Sequence, residues 1–396
     1  MKTIDQIATK HNTEERAEST GAEAPLEQAV PGAASETQPG NQSGPGTPCL
    51  EIRLGLDVHL AFIMVAEQVG HQPSKSPRKL DVVGLVAEVK RWIAQGHQVW
   101  CVQEACGFGF TLHRQLEAAG AHSLVITPQP LGDRRKTDRL DASQLLRYLS
   151  RYVDGQRDEL RPIRIPKAEE EQLREVGRRR EFFLRQVRRL ANRGLALRIQ
   201  REHQGLPSQW WGPRNWKRLE GQLEPSLKAI LQGMREPLLS FQQQATALTE
   251  ELVGRVKGQS IPRGLGALTL ALLDGEICDW GRFHNRKQAG SYTGCCPGVH
   301  GSGGHWKMGN IDRHGNGRVR RQLVEAVWRL LKHQSRWHAL HRHLPRLGDP
   351  LGGRTGSKAQ RKKVVVALAR QLAIDLWRWR TGRCNLEQLG LVTITV

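Results

Sequence analysis

Four acidic residues stand where carboxylates could be gathered into one site. Asp57 comes at the end of the run Ile52-Arg53-Leu54-Gly55-Leu56-Asp57-Val58, whose alternation predicts a strand that delivers an acid at its tip. Glu104 closes a second apolar run, Gln98-Val99-Trp100-Cys101-Val102-Gln103-Glu104. Asp138 and Asp141 are three apart at the start of a helix predicted over about 137–150, so they share a face. Crowded carboxylates repel one another unless a cation neutralises them. Hard oxygen donors suit Mg²⁺ or Mn²⁺, and two such ions clamp the attacking and leaving oxygens of a phosphodiester. Two of the acids also have an ordinary reading, while Asp57, at the end of an apolar strand, is harder to dismiss. Asp138 alone is a helix-start acid favoured by the dipole, and Glu104 alone is a surface strand end. Lys136 and Arg135, just before Asp138, fit a phosphate contact or simple charge balance.

Two further segments hold residues of chemical interest. Cys295-Cys296-Pro297-Gly298-Val299-His300-Gly301-Ser302-Gly303-Gly304-His305 sets Ser302 between glycines, where its hydroxyl can be approached closely. Gly-rich backbone with Arg318, Arg320 and Arg321 downstream could cradle a phosphate. On these residues alone, a serine between glycines is a turn residue far more often than a nucleophile. Ile261-Pro262-Arg263-Gly264-Leu265-Gly266 opens a predicted helix, and reads equally as a phosphate grip or as an ordinary turn.

The elements that must position these residues follow from periodicity. Strands near 52–58, 61–66, 98–104 and 122–127 alternate with helices near 81–95, 108–119 and 137–150, which predicts an α/β domain. From Lys167 to about Gln200 the pattern is one long helix. Leu173, Val176, Arg180, Phe183, Val187, Leu190, Gly194 and Leu197 form a coiled-coil seam along it. Arg178, Arg179, Arg185, Arg188, Arg189, Arg193 and Arg198 crowd its other faces with few acids to offset them. The ordinary reading is a solvated charged face; the one preferred is an arm that pairs with another helix and lies along phosphates. Trp210, Trp211 and Trp216 are expected to pack on that arm rather than stack on bases. A helix follows near 222–256, and a closing helix near 358–380.

The chain has 396 residues and a formal net charge of +21. Its first 50 residues hold Lys2, Lys10 and Arg16 against seven acids, a net of −4, which leaves +25 on the rest. A field of that sign favours polyanions. Residues 1–49 are Glu-, Ala-, Gly-, Pro- and Ser-rich and read as a disordered tail. No apolar run reaches the roughly 20 residues of a membrane span, and no secretory leader is evident. The seven cysteines contain no CxxC pair, which argues against a zinc site and a disulfide framework. Reduced thiols in a cytoplasmic, nucleoid-associated protein are the expectation.

The ordered set of motifs resembles the IS110/IS1111 family of transposases. Gly55-Leu56-Asp57-Val58-His59 is similar to that family's opening strand, and Glu104 follows in a Val-x-Glu-Ala-x-Gly context. Lys136-Thr137-Asp138-Arg139-Leu140-Asp141-Ala142 resembles its Lys-Thr/Ser-Asp-x-x-Asp-Ala signature. Ile261-Pro262, Pro297, Ser302-Gly303 and Gly315-Asn316 resemble its second domain, although Arg263 stands where the family usually has glycine. The resemblance implies a RuvC-like, ribonuclease H-like domain over 50–160 carrying a DEDD tetrad at Asp57, Glu104, Asp138 and Asp141. It also implies a basic coiled-coil arm over 161–257, a mostly α-helical transposase domain over 258–385 with Ser302 as nucleophile, and a short tail over 386–396. The implied activity is recombination of an insertion sequence with a target, using Mg²⁺ or Mn²⁺ and directed by a structured guide RNA. The implied partners are element-end and target DNA, with the protein a homodimer or homotetramer. Lys136, the arm arginines, Arg318, Arg320 and Arg321 are then the expected nucleic-acid contacts. The alternatives are a RuvC-like endonuclease with no covalent serine step, or a non-catalytic nucleic-acid-binding protein.

Overall fold

The computed structural model describes residues 49–128, 137–302, 305–344 and 357–396. Arg135, Lys136 and all but Cys49 of the expected N-terminal tail lie outside them.

The first part is the expected α/β arrangement. β1 (Glu51–Val58) pairs antiparallel with β2 (Ile63–Val69), which pairs antiparallel with β3 (Arg78–Leu80). β4 (Gln98–Glu104) lies parallel to β1 on its other side, and β5 (His122–Ile126) lies parallel to β4. The sheet order is β3-β2-β1-β4-β5. Strand periodicity then sorts the side chains between two layers. Ile52, Leu54, Leu56, Val99 and Cys101 face α1 (Val82–Ala94) and α2 (Thr111–Ala118), meeting Leu85, Val89, Leu112 and Leu116. On the opposite face, Met64, Ala66, Val102 and Ile126 meet Ala142, Leu145, Leu146 and Leu149 of α3 (Asp138–Val153).

α4 (Ala168–Glu202) and α6 (Pro225–Gly254) form an antiparallel pair, with the short α5 (Pro213–Leu219) at its far end. The antiparallel sense follows from three contacts. Arg180 Nε donates to Thr249 Oγ1 (2.6 Å), Phe183 stacks on Phe241 (5.8 Å between centroids), and a Cβ on Gly194 would come within 3.1 Å of Leu231. The seam predicted along Leu173–Leu197 does pair with another helix, and that helix is α6 of the same chain. Trp210, Trp211 and Trp216 are buried in this cluster, as expected for packing rather than stacking on bases. Gly194 is small because Trp210 crosses there: a Cβ would lie 2.6 Å from the indole.

The remainder is mostly helical. α7 (Ala267–Ile277), α8 (Arg286–Ser291), α9 (Gly317–His333), α10 (His338–His341) and α11 (Lys358–Arg380) surround a core of Leu270, Leu273, Leu323, Val327, Leu368 and Leu372. Leu173 and Val176 of α4 pack against that core, so the arm is rooted in it. β7 (Pro297–Ser302) and β8 (His305–Ile311) form a hairpin. Residues 386–396, expected as a tail, instead join the fold. Leu386, Leu389 and Leu391 are buried, and β9 (Thr393–Thr395) pairs antiparallel with β6 (Ser260–Pro262). Among the described residues no helix is long and apolar enough to cross a membrane.

Candidate functional site

Three alternate residues of β1 face α3, and each meets a different level of that helix. Arg53 reaches its C-terminal end, donating to the Ser150 carbonyl (3.3 Å) and to Asp154 (3.0 and 2.5 Å). A cation is favoured at that end of the helix dipole. Gly55 lies under its middle, where a Cβ would collide with the Ala142 carbonyl and the Leu146 nitrogen. Asp57 lies near its N-terminal turn, which Thr137 caps by accepting from the Leu140 nitrogen (3.4 Å). Helix and strand thus run antiparallel in close contact, and the carboxylate at the strand's tip meets the acids that begin the helix.

The meeting point is His59. Its Nε2 stands 3.0 Å from Asp57 Oδ2 and 3.5 Å from Asp138 Oδ2. One donor atom from each of Asp57, His59 and Asp138 falls within a sphere of contacts no longer than 4.8 Å. All three are partly open, with side-chain exposures of 24%, 35% and 48%, so an ion carrying water ligands can enter. Two carboxylate oxygens and one imidazole nitrogen are a fitting donor set for a divalent cation. Sequence reasoning quoted His59 but gave it no role. The signal was available, because a residue two places beyond Asp57 on an extended segment shares its face.

Glu104 and Asp141 occupy the neighbouring column. The parallel register ends at Leu56 opposite Gln103, so Asp57 and Glu104 follow at the same level on adjacent strands. Both belong to the α3 face, with Gly55 and its register partner Val102. On α3, Asp138 precedes Ala142 by one turn, and Ala142 lies over Gly55. Asp141 precedes Leu145 by one turn, and Leu145 packs with Val102 and Ile126. Asp138 therefore belongs to the β1 side of the helix and Asp141 to the β4 side. Both Glu104 and Asp141 are half-buried.

Ser302 ends β7, with its backbone paired to His305 across the hairpin; its side chain lies outside what is described. The residues after the hairpin serve structure. Gly315 sits where any Cβ would strike the Tyr292–Gly294 turn. Asn316 caps α9, accepting from the Arg318 and Val319 nitrogens (2.9 and 3.2 Å), and its Nδ2 donates to Glu276 (3.1 Å). The Pro262–Gly266 segment is a turn into α7, with Gly264 and Gly266 in the left-handed region. The Arg329 side chain donates to the carbonyls of Gly264 and Leu265.

Residues 259–342 match the model of the Transposase IS116/IS110/IS902 family. That segment is similar to an IS110-family transposase domain. The chain's similarity to known proteins extends well beyond it. The inferred transposase y4rJ of Sinorhizobium fredii (strain NBRC 101917 / NGR234) is 26% identical over 330 residues, covering 72% of this chain and 78% of that protein. The inferred transposase y4qE of the same organism is 27% identical over 306 residues, or 75% and 70% of the two chains. The transposase for insertion sequence element IS1111A of Coxiella burnetii (strain RSA 493 / Nine Mile phase I) is 26% identical over 256 residues, or 60% and 67%.

The transposase domain and the arm hold each other through arginines that sequence reasoning assigned to nucleic acid. Arg178 donates to Glu276 from Nε and Nη2 (3.2 and 3.3 Å). Arg318 and Arg321 both donate to Glu181 of the arm (2.9 and 2.8 Å). Arg320 donates to the Thr293 carbonyl (2.9 Å). Burial would raise the Glu276 carboxyl, but hydrogen bonds from Arg178 and Asn316 and the charges of Arg178 and Arg318 outweigh it and hold it below the ordinary range. Glu181 is likewise held low, its burial outweighed by Arg321 and Arg318. Arg179, Arg185, Arg188, Arg189 and Arg193 are exposed along α4. Among the described residues no ion pair is formed by these five, and they remain the open cationic face of the arm.

Proposed function

We propose that this protein is an insertion-sequence transposase that cuts and rejoins DNA at a divalent-metal site built from Asp57, Glu104, Asp138 and Asp141, with Ser302 as the nucleophile. The observation that carries the reading is the convergence of Asp57, His59 and Asp138 within 4.8 Å at the tip of the central strand. The sheet order, with two antiparallel and two parallel pairings, supports a RuvC-like, ribonuclease H-like assignment for residues 50–160. The relatives named as transposases support the reaction class.

In this reading Asp57 and Asp138 hold Mg²⁺ or Mn²⁺ with His59 beside them, and Glu104 and Asp141 complete the set. A cation held by these residues would neutralise charge at the phosphate and favour an ionised oxygen nucleophile or leaving group. Ser302 Oγ attacks phosphorus: its hydroxyl proton is given up, an Oγ–P bond forms, a P–O bond of the strand breaks, and the leaving oxygen takes up a proton in exchange. Rejoining reverses that step on a second strand. The exposed arm arginines, and Lys136, hold phosphates of DNA and of an element-encoded guide RNA. Joining two sites brings two or more copies together, by a surface other than the seam that α6 fills.

The test is incubation of element-end DNA with protein, Mg²⁺ and the RNA transcribed beside the gene, followed by a denaturing gel. A protein–DNA adduct lost in both Ser302→Ala and Asp57→Ala supports the reading. Cleavage without an adduct replaces it with a RuvC-like nuclease that lacks the serine step. Binding with neither product leaves a non-catalytic nucleic-acid-binding protein.

A further inference from the structure

A cavity of about 310 Å³ lies between α4, α7 and α9, away from the acidic site. Its walls have two characters. One is apolar, formed by Leu173, Leu184, Leu252 and Leu272. The close approach of the helices that frames it depends on Gly177, whose Cβ would lie 3.0 Å from Leu272, and on Gly275, which faces Leu173. The other wall is charged with an excess of cations: Arg174, Arg180, Arg318 and Arg321 stand beside Glu181 and Glu276, and Arg185 and Arg188 lie exposed at its edge.

Among the described residues, two of these cations, Arg174 and Arg180, have no carboxylate partner. Glu181 is taken by Arg318 and Arg321, and Glu276 by Arg178 and Asn316. Among the described residues Arg180 donates only to the neutral Thr249 hydroxyl, and burial pushes its guanidinium below the ordinary value. Arg174 donates to Cys278 Sγ (3.1 Å), while its Nε is buried with no partner. A guanidinium withdrawn from water without a carboxylate is costly. A phosphate relieves that cost through paired, charge-assisted hydrogen bonds. The volume sits at the low end of the roughly 300–1,000 Å³ of small-molecule sites, so a lone phosphate leaves most of it empty. The apolar wall offers the remaining space to a group with an apolar face, such as an extruded base.

We propose that this cavity receives one unstacked nucleotide of a nucleic-acid strand lying along the arm, its phosphate on Arg180 and Arg174 and its base against Leu173, Leu184 and Leu272. Arg185 and Arg188 lead from the cavity to Arg189 and Arg193, a path for the flanking phosphates. Extruding a base is cheapest where it is already unpaired, so the site selects bulged or looped strands over continuous duplex. The inference rests on the nucleic-acid half of the function proposed above, and not on the acidic site.

The experiment compares two fluorescein-labelled RNA duplexes by anisotropy, one fully paired and one with a single unpaired nucleotide at its centre, on the full chain. The expected preference for the bulged duplex is about tenfold, the worth of a charged hydrogen-bond pair. Arg180→Gln removes the phosphate seat, and Leu184→Trp fills the cavity without changing charge. Each is expected to abolish the preference while changing paired-duplex affinity by less than about twofold, one phosphate contact among several. Leu184→Trp keeps the test decisive if thermal unfolding shows Arg180→Gln misfolded. Equal affinity of the wild type for both duplexes overturns the proposal. AMP binding abolished by Arg180→Gln, with no preference for the bulge, also overturns it and assigns the cavity to a free nucleotide. Failure to bind either duplex overturns the nucleic-acid reading together with this one.

Discussion

Asp57 and Asp138 share one nitrogen: His59 Nε2 lies 3.0 Å from the first carboxylate and 3.5 Å from the second. A divalent ion placed between them has its strongest ligands already converged. Mn²⁺ titration followed by calorimetry is expected to show one tight site. Asp57→Asn and Asp138→Asn should each weaken it by about 100-fold or more, and His59→Ala by about 10- to 100-fold, the range for residues that orient or supplement ligands. Unchanged Mn²⁺ affinity in Asp57→Asn would place the metal elsewhere.

Gly55 sets the height of α3 above the sheet. A methyl group there meets backbone at Ala142 and Leu146, the latter Cα at 2.9 Å, and backbone cannot rotate aside. Gly55→Ala should cost about 3 kcal/mol, at the upper end for overpacking. It should also lift Asp138 from Asp57, so Mn²⁺ affinity falls although no ligand has changed. A variant with wild-type melting temperature and metal affinity would refute this account of the site's geometry.

Glu276 ties the arm to the transposase domain, and its sign with pH is fixed by its shift. Its folded pKa is depressed below the ordinary 4.5, so its stabilisation is full above that value and is lost as pH falls through the folded pKa. Glu276→Gln should cost about 1–3 kcal/mol at neutral pH, discounted because Arg178 is partly in solvent. The two proteins should converge in melting temperature as the medium is acidified well below pH 4.5. A gap that persists in acid would mean that shape, not charge, is what Gln disturbs.

The arginines divide into two groups that salt can separate. Replacing any one of Arg185, Arg188, Arg189 or Arg193 by Ala should lower the slope of log K against log salt by about one for duplex DNA, with little change in melting temperature. Arg318→Ala and Arg321→Ala should do the reverse, because their partner is Glu181.

Local pattern made much of this legible. Alternation located β1 and β4, and the three-residue spacing put Asp138 and Asp141 on one helix face; both features rest on backbone geometry alone. His59 escaped because an imidazole beyond a strand has many ordinary uses until α3 is docked over it. The seam along α4 was legible as a seam, but apolar spacing does not say whose helix fills it, and α6 does. The pairing of Arg318 and Arg321 with Glu181 joins segments far apart in the chain, which no local spacing encodes. Residues 386–396 look like a tail because β9 is short and exposed; only β6 as a neighbour makes them a strand.

That last pairing governs the order in which the polypeptide matures. β6 at Ser260–Pro262 introduces the transposase domain, yet its partner is Thr393–Thr395, and Asp274 of α7 waits for Arg380 of α11. On the ribosome, the sheet and the arm emerge first and have their local contacts to hand, while this domain cannot close until its distal end is released. Nascent chains are therefore expected to gain the acidic cluster before they gain a finished transposase domain, because β6 and Asp274 wait for residues more than a hundred positions later.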